Sequence, residues 1–188
     1  MYFQVFTLLD MKKEDYFMTK KLMKTLLVAV CMFCFGFANT ADAAQSPGEI
    51  KTKIVKTAVS MGVDPCVALS IAKLESEFIP TKKGASGAVG LFQLMPDTAR
   101  RLGVNPYIVN DNIKGGIMYY QMMYKKFGSM DLALAAYNAG PGNVARYKGV
   151  PPFRETQAFI SRIKTNAAAF KKDPIVLEYT KPQTSDTL

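Results

Sequence analysis

The chain has 188 residues, enough for one domain with an ordinary core, and its 24 Lys and Arg residues against 15 Asp and Glu give a formal net charge of +9. It contains no His, which excludes His-based catalytic triads and the common His-containing zinc sites. Acid–base chemistry must therefore fall to carboxylates, Tyr or Lys, and we expect neither a metal nor another cofactor.

Residues 1–43 have the features of an export segment. Lysines between positions 20 and 24 precede the apolar run Leu26–Ala38, and the small residues around Ala43 suit a signal peptidase. The run is shorter than the ~20 residues that span a bilayer, so we expect export and cleavage near Ala43, with an uncleaved membrane anchor as the alternative. The mature chain would then be periplasmic or in the cell envelope. Its scattered positive charges favour attraction to an anionic envelope over nucleic-acid binding.

Residues 44–173 are predicted to be mainly α-helical, with one core and no internal repeat. Most of the predicted helices have an Asp before the first turn or a Gly just past the last. Gly115 and Gly116 lie inside the longest helix, which indicates close packing against another helix. Residues 174–188, rich in Pro, Thr and Ser, are expected to be a flexible tail. The predicted helices are Ile50–Met61, one opened by Asp64, Asp97–Leu102, Asp111–Phe127, Asp131–Ala139 and one after Thr156.

The helix opened by Asp64 carries a carboxyl group on an apolar face. Counting from Ala68, the apolar residues three and four positions on share a face with Glu75, seven positions on. Desolvation on such a face raises the pKa of a carboxyl group and keeps it protonated nearer neutrality, as a general acid requires. The alternative is that Glu75 ends the helix on a solvated edge. Cys66, in the first turn, is expected to be a buried packing residue, because no His is present to activate a thiol.

A glycine-punctuated segment follows the Glu75 helix. Three glycines between residues 84 and 90 predict a tight loop or a short β-hairpin in which backbone can approach a ligand. Gln93 comes out of this segment among Leu, Phe and Met, so it is either a ligand-binding amide or a half-exposed loop residue. Tyr137 and Asn138 lie further on, at the exit of a slim helix, where an Asn before Gly and Pro is also typical of a plain turn.

Three stretches of this sequence resemble the soluble lytic transglycosylase domain. They are Glu75–Pro80, Gly87–Pro96 and Ala136–Gly142, followed by the element Glu155-Thr156. The resemblance implies a mainly α, lysozyme-like single domain, with residues 44–173 as the catalytic domain. It also implies an enzyme that cuts the glycan strands of peptidoglycan at the β-1,4 bond between N-acetylmuramic acid and N-acetylglucosamine.

The resemblance also implies roles for individual residues. Glu75 would protonate the glycosidic oxygen and then act as base on the 6-hydroxyl of the muramic acid, giving a 1,6-anhydro product without consuming water. The Tyr137 hydroxyl would orient Glu75. The family usually has Tyr where this chain has Phe159, so no site role is carried to that position. The residues expected to shape the substrate site are Ser76, Gln93, Met95, Tyr137, Asn138 and Glu155, although a helix-end or ion-pair role for Glu155 is an equal alternative.

No second catalytic carboxylate is evident in the sequence. Glu77 is two residues from Glu75, about 200° around the helix, and Asp97, Asp111 and Asp131 are each expected to be N-caps. A mechanism with one Glu follows. The alternatives are a lysozyme-type hydrolase on the same fold and a catalytically silent glycan-binding or assembly protein. By size, the chain resembles specialised transglycosylases of secretion, conjugation or pilus machines. We expect a monomer that binds peptidoglycan.

Overall fold

A computed structural model describes residues 45–181, and prolines and short polar side chains set most of its helix starts. Ser46 and Glu49 form a reciprocal capping box at the first helix, and the Asp64 carboxylate accepts a 2.8 Å hydrogen bond from the Cys66 N–H at the second. The predicted start at Asp64 is thus confirmed. The helices are α1 (Pro47–Ser60), α2 (Pro65–Ser76), α3 (Pro96–Leu102), α4 (Val109–Phe127), α5 (Met130–Ala139), α6 (Pro141–Tyr147), α7 (Arg154–Phe170) and α8 (Pro174–Thr180). The proposed export segment lies outside the described residues.

The three aspartates that we expected to be N-caps are not caps, and that prediction is wrong. Ser129 caps α5 through its hydroxyl, while Asp131 lies in the first turn and pairs with Lys164 at 3.1 Å. Asp97 and Asp111 lie in the first turns of α3 and α4, whose N-cap residues make no side-chain capping bond. Acidic side chains are favourable anywhere in a first turn, so their position there does not define the cap.

The segment predicted to be a flexible tail begins with a helix instead. Asp173 accepts a hydrogen bond from the Ile175 N–H, and Pro174 occupies the first position of α8. This helix packs on α1, buries Val176, and is tied there by a 3.4 Å ion pair between Asp173 and Lys51. The Asp-Pro pair therefore acts as a helix start rather than as a linker. Residues 182–188 lie outside the described part of the chain.

The core forms around α2, which packs against α1 on one side and α7 on the other. Helix α5 packs against α4, α6 and α7. Helix α7 therefore contacts both α2 and α5. Nine of the twelve residues of α2 are buried. A helix buried along most of its length can hold a side chain at its end in a fixed position, because every turn before it is packed. Within residues 45–181, none of the helices has the length and apolar character needed to cross a membrane.

The segment between α2 and α3 is a loop rather than a hairpin. Its backbone makes two isolated antiparallel bridges, Lys83 with Val89 and Val89 with Leu94, and no strand is formed in the described residues. The loop packs against α4 at the two glycines. A Cβ at Gly116 would collide with the Phe92 side chain, which is fully buried against this glycine. The glycines of α4 therefore allow a close contact, as predicted. The contact is with the loop, however, and not with another helix.

Candidate active site

Glu75 lies in the last turn of α2, at the end of the buried face that the sequence predicts. Ala68, Ile71 and Ala72 on this face are at most 1 % exposed, and Glu75 itself is half-buried. The chain then turns sharply, because Glu77 and Phe78 both have positive φ, 55° and 63°. Such backbone is strained for residues other than Gly and is concentrated at functional sites. Glu75 therefore ends its helix with its carboxyl group at the boundary between the core and a cavity.

The surroundings of Glu75 raise the pKa of its carboxyl group to near neutrality. Burial raises its pKa from 4.5 to about 7; the Lys82 ammonium lowers the pKa and the Glu155 carboxylate raises it. A group with this pKa is partly protonated at pH 7 and can both donate and accept a proton, which is the requirement for general acid–base work.

Glu75 opens into a cavity of about 210 Å³ between α2, α5 and α7. The cavity brings together three of the residues that we expected at the site: Glu75, Asn138 and Glu155. Two carboxyl groups, one amide and one guanidinium thus face the same space. Its lining residues are Leu74, Glu75, Asn138, Glu155, Ala158, Phe159 and Arg162.

Glu155 is the carboxylate that the sequence-based argument against a second acid overlooked. It lies in the first turn of α7 and lines the Glu75 cavity, and within the described residues it forms no ion pair. Its charge raises the pKa of Glu75. Glu77, in contrast, lines a different cavity, as its position two residues beyond Glu75 predicts. The other three candidates are occupied elsewhere: Asp97 pairs with Arg100, Asp111 accepts the Asn105 N–H, and Asp131 pairs with Lys164.

The Asn138 amide is oriented by a buried hydroxyl. Thr156, 2 % exposed, donates a 2.8 Å hydrogen bond from Oγ1 to Asn138 Oδ1. This bond fixes which end of the amide faces the cavity, because the oxygen is held by Thr156 and the Nδ2 group has no partner among the described residues. The site thus offers two N–H donors beside Glu75. The sequence singled out Asn138 but gave no such role to Thr156.

Tyr137 braces the loop rather than donating to Glu75. Its hydroxyl donates a 2.7 Å hydrogen bond to the Phe92 carbonyl oxygen, and its ring stacks on Phe159 with centroids 6.5 Å apart. Burial raises the pKa of Tyr137 well above its usual value, and the Glu75 and Tyr119 charges add to this. The hydroxyl proton is thus donated to the loop backbone at Phe92.

Ser76 and Gln93 also hold backbone in place. The fully buried Ser76 hydroxyl lies 2.9 Å from the carbonyl oxygens of Ala72 and Leu91, which joins the end of α2 to the loop. The Gln93 amide donates to the carbonyl oxygens of Lys82 at 3.2 Å and Gly90 at 2.8 Å. Both side chains therefore fix the shape of the loop that flanks the site.

Met95 lies apart from the Glu75 cavity. It is 43 % exposed at the N-cap of α3 and does not line that cavity. A large exposed apolar side chain at the end of the loop remains available for contact with a ligand.

Asn112 is a structural residue of the site that the sequence analysis missed. It is 2 % exposed on α4, and its Oδ1 accepts the Phe92 N–H at 2.9 Å while its Nδ2 donates to the carbonyl oxygens of Val89 and Pro106. One amide thus joins α4 to the loop at Phe92 and Val89, and to the segment after α3 at Pro106. The sequence analysis did not single out Asn112, because its partners lie outside its own helix.

No group of three or more Cys, Asp and Glu side chains between residues 45 and 181 could hold a metal ion. Cys66 is buried, and burial raises the pKa of its thiol to about 11, with Asp64 adding to the shift. It is a packing residue, as expected. The site itself presents a carboxyl group with a raised pKa, a second carboxylate, an oriented amide and a guanidinium.

A mainly helical fold without a sheet in the described residues is that of the lysozyme-like SLT domains. The family model described as "Transglycosylase SLT domain" matches residues 53–160, and this chain belongs to that family. Its structure is similar to that of an inactive mutant of the lytic transglycosylase Slt from Pseudomonas aeruginosa, with a TM-score of 0.60 and 26% identity, over 78% of this chain and 26% of the other.

Curated relatives agree with this assignment. The soluble lytic murein transglycosylase of Salmonella typhimurium is 32% identical in an alignment 130 residues long that covers 55% of this chain and 20% of the relative. The transglycosylase of Enterobacteria phage PRD1 is 38% identical over 79 residues, 42% of this chain and 30% of the relative. The chain thus spans less than a third of the length of these proteins.

Proposed function

We propose that the protein is a peptidoglycan lytic transglycosylase in which Glu75 is the single catalytic acid and base. The observation that carries the proposal is the carboxyl group of Glu75, whose pKa is raised to about 7 in a cavity that also presents the oriented Asn138 amide. Its relatives are named as murein transglycosylases, and the solved relative described above is an inactive Glu-to-Gln mutant.

The proposed reaction needs one proton donor that later becomes a base. Protonated Glu75 gives its proton to the glycosidic oxygen, and the bond between that oxygen and the anomeric carbon of N-acetylmuramic acid breaks. The Glu75 carboxylate then removes the proton of the 6-hydroxyl on the same sugar, whose oxygen bonds to the anomeric carbon. The product is a 1,6-anhydromuramoyl end, no water is consumed, and Glu75 regains its proton. A pKa near 7 suits both steps.

We assign the remaining site residues to substrate positioning. The Asn138 Nδ2 group donates to a substrate oxygen, such as the acetamido carbonyl that stabilises positive charge at the anomeric carbon. Ser76, Gln93 and Tyr137 hold the loop backbone against which a glycan strand lies, and Met95 packs against a sugar at the loop end. The substrate is peptidoglycan in the cell envelope, and residues 1–43 direct the export of the protein to it. The cleavage serves a secretion, conjugation or pilus machine.

A lysozyme-type hydrolase is a second candidate, favoured by Glu155. A second carboxylate in the same cavity could activate water for attack on the anomeric carbon. Digestion in water enriched in heavy oxygen separates the two reactions, because hydrolysis places the heavy atom at the new reducing end and the transglycosylase reaction does not.

Release of soluble fragments from insoluble peptidoglycan tests the role of Glu75. We expect Glu75→Gln to reduce the initial rate by at least about 10²-fold with the fold retained, because general acid–base catalysis contributes about 10²–10⁴-fold. Glu178→Gln, on the exposed side of α8, is the matched control and should keep the wild-type rate. A folded Glu75→Gln protein with near-normal turnover would end the assignment. Binding of peptidoglycan by the wild type without any release would favour a non-catalytic role.

A further inference from the structure

A second cavity, of about 390 Å³, continues the Glu75 cavity along the contact between α2 and α7. Leu74 and Arg162 line both cavities, so the two adjoin at these side chains, and Glu75 lines only the smaller one. The second cavity has the volume of an ordinary small-ligand site. Its lining residues are Lys73, Leu74, Glu77, Ser161, Arg162, Thr165 and Asn166.

The charged groups of this second cavity suit an anion. Lys73 and Arg162 contribute two positive charges and Glu77 one negative charge, and none of the three forms an ion pair among the described residues. The Lys73 ammonium lies 5.6 Å from the centroid of the Phe170 ring, which holds it beside the groove. Arg162 presents a planar fork of N–H donors that matches a carboxylate in two parallel bonds.

The neutral groups of the second cavity favour a peptide over a sugar ring. Ser161, Thr165 and Asn166 supply two hydroxyls and an amide, which can pair with peptide N–H and C=O groups. The Thr165 hydroxyl donates to the Ser161 carbonyl oxygen at 3.1 Å and keeps its lone pairs for a ligand donor. No aromatic ring lines this cavity, so the flat face on which a sugar would stack is missing there.

We propose that this second cavity binds the acidic peptide attached to the muramic acid, with Arg162 as the principal contact to a peptide carboxylate. The inference rests on the proposed function, because it requires muramic acid near Glu75. Arg162 stands where the two cavities meet and can reach a group that branches from the sugar. Lys73 adds a second positive charge to this cavity, and Glu77 adds one negative charge.

A comparison of two substrates tests the proposal. Glycan strands that carry their peptides are compared with strands from which an amidase has removed them, and kcat/KM is measured on each. We expect Arg162→Gln to lower the ratio of the two values by about 3- to 10-fold, as loss of a partly exposed charge-assisted pair predicts, with Arg162→Lys in between. Lys73→Gln should lower it less. Lys125→Gln, which removes one charge beside a separate cavity at the start of α2, should leave the ratio unchanged.

Two outcomes of the kinetic comparison would overturn the proposal. An equal loss of kcat/KM on both substrates would mean that Arg162 acts on the glycan or on Glu75. A variant that leaves both values as in the wild type would mean that no peptide binds in the second cavity. Binding gives a readout that does not depend on catalysis. With Glu75→Gln protein, a soluble disaccharide-tetrapeptide should shift the backbone amide resonances of Thr165 and Asn166, and the disaccharide alone should not. If these shifts occur but the wild type has no lytic activity, the proposed function is wrong and the peptide site stands. If the wild type is lytic but the shifts do not occur, the proposed function stands and the peptide site is wrong.

Discussion

Thr156 and Asn138 lie 18 residues apart in the sequence, and a 2.8 Å hydrogen bond from the Thr156 hydroxyl to Asn138 Oδ1 joins them beneath the floor of the site. The bond crosses from α7 to α5 and determines the direction of an amide that shares a cavity with Glu75. Removal of the hydroxyl would free the amide to rotate, so that its oxygen could face the substrate.

Thr156→Val keeps the shape of this side chain and removes its donor. We expect kcat/KM on peptidoglycan to fall about 3- to 10-fold, the equivalent of one hydrogen bond, while Thr156→Ser restores most of the rate. Steady-state kinetics below the melting temperature of both variants gives the comparison. A Thr156→Val enzyme with wild-type kcat/KM, or a Thr156→Ser enzyme as slow as the Val variant, would show that the hydroxyl does not position the amide.

The pH dependence of kcat/KM should report the environment of Glu75. The acid form is the active one, so kcat/KM should fall as pH rises above about 7. Because the Glu155 charge raises this pKa and the Lys82 charge lowers it, Glu155→Gln should move the fall to lower pH and Lys82→Gln to higher pH. Glu178→Gln should leave it in place. Shifts of both variants in the same direction would contradict the account of the site.

Stability should depend on pH through the same carboxyl group. The native state binds the Glu75 proton more tightly than the unfolded chain, since the pKa is about 7 in the fold against 4.5, so stability falls as pH rises between these values. Glu75→Gln cannot ionise. Its stability relative to wild type should therefore increase from pH 4.5 to pH 8, by up to about 3 kcal/mol.

Denaturant unfolding at several pH values measures this difference. Glu178→Gln serves as the control, and its difference from wild type should stay constant over the same range. A Glu75→Gln stability difference that does not change with pH would mean that Glu75 ionises as an ordinary exposed carboxyl group.

Substitution of two glycines by Ala should change the stability in opposite directions, because of the two only Gly116 is in close contact with another side chain, that of Phe92. A Cβ at Gly116 would collide with the buried Phe92 ring, so Gly116→Ala should lower the free energy of unfolding by about 1–3 kcal/mol and displace the loop. Gly142, inside α6, has open space at its Cβ, and Gly142→Ala should raise stability by about 0.4–1 kcal/mol. Equal effects of the two substitutions in chemical unfolding would show that the loop does not pack on α4 as described.

The parts of the site that follow local rules could be predicted from the sequence. The start of α2 at Asp64 and the inward position of Glu75 depend on residues within three turns, and both agree with the structure. One of the three aspartates placed as caps failed for a local reason as well. Ser129 and Asp131 are both eligible caps and lie close together, and the helix begins directly after Ser129.

Contacts between distant residues could not be predicted. The Tyr137 hydroxyl meets the Phe92 carbonyl across 45 residues and Asn112 meets the loop across 20, and neither pairing leaves a periodic trace in the sequence. Arg162 and Glu155 are seven residues apart on α7, so their shared face was predictable, but the cavity they line depends on how α7 packs against α2. The helix α8 was missed because Pro and Thr were taken as signs of a tail.

Mass spectrometry of the soluble products from purified peptidoglycan, with wild-type and Glu75→Gln protein side by side, is the most direct test of the central claim. A single acid and base without attack by water predicts muropeptides one water lighter than hydrolysis products, and none from the folded Glu75→Gln variant. Wild-type products that carry a reducing end would contradict the claim and would favour the hydrolase, in which water attacks the anomeric carbon.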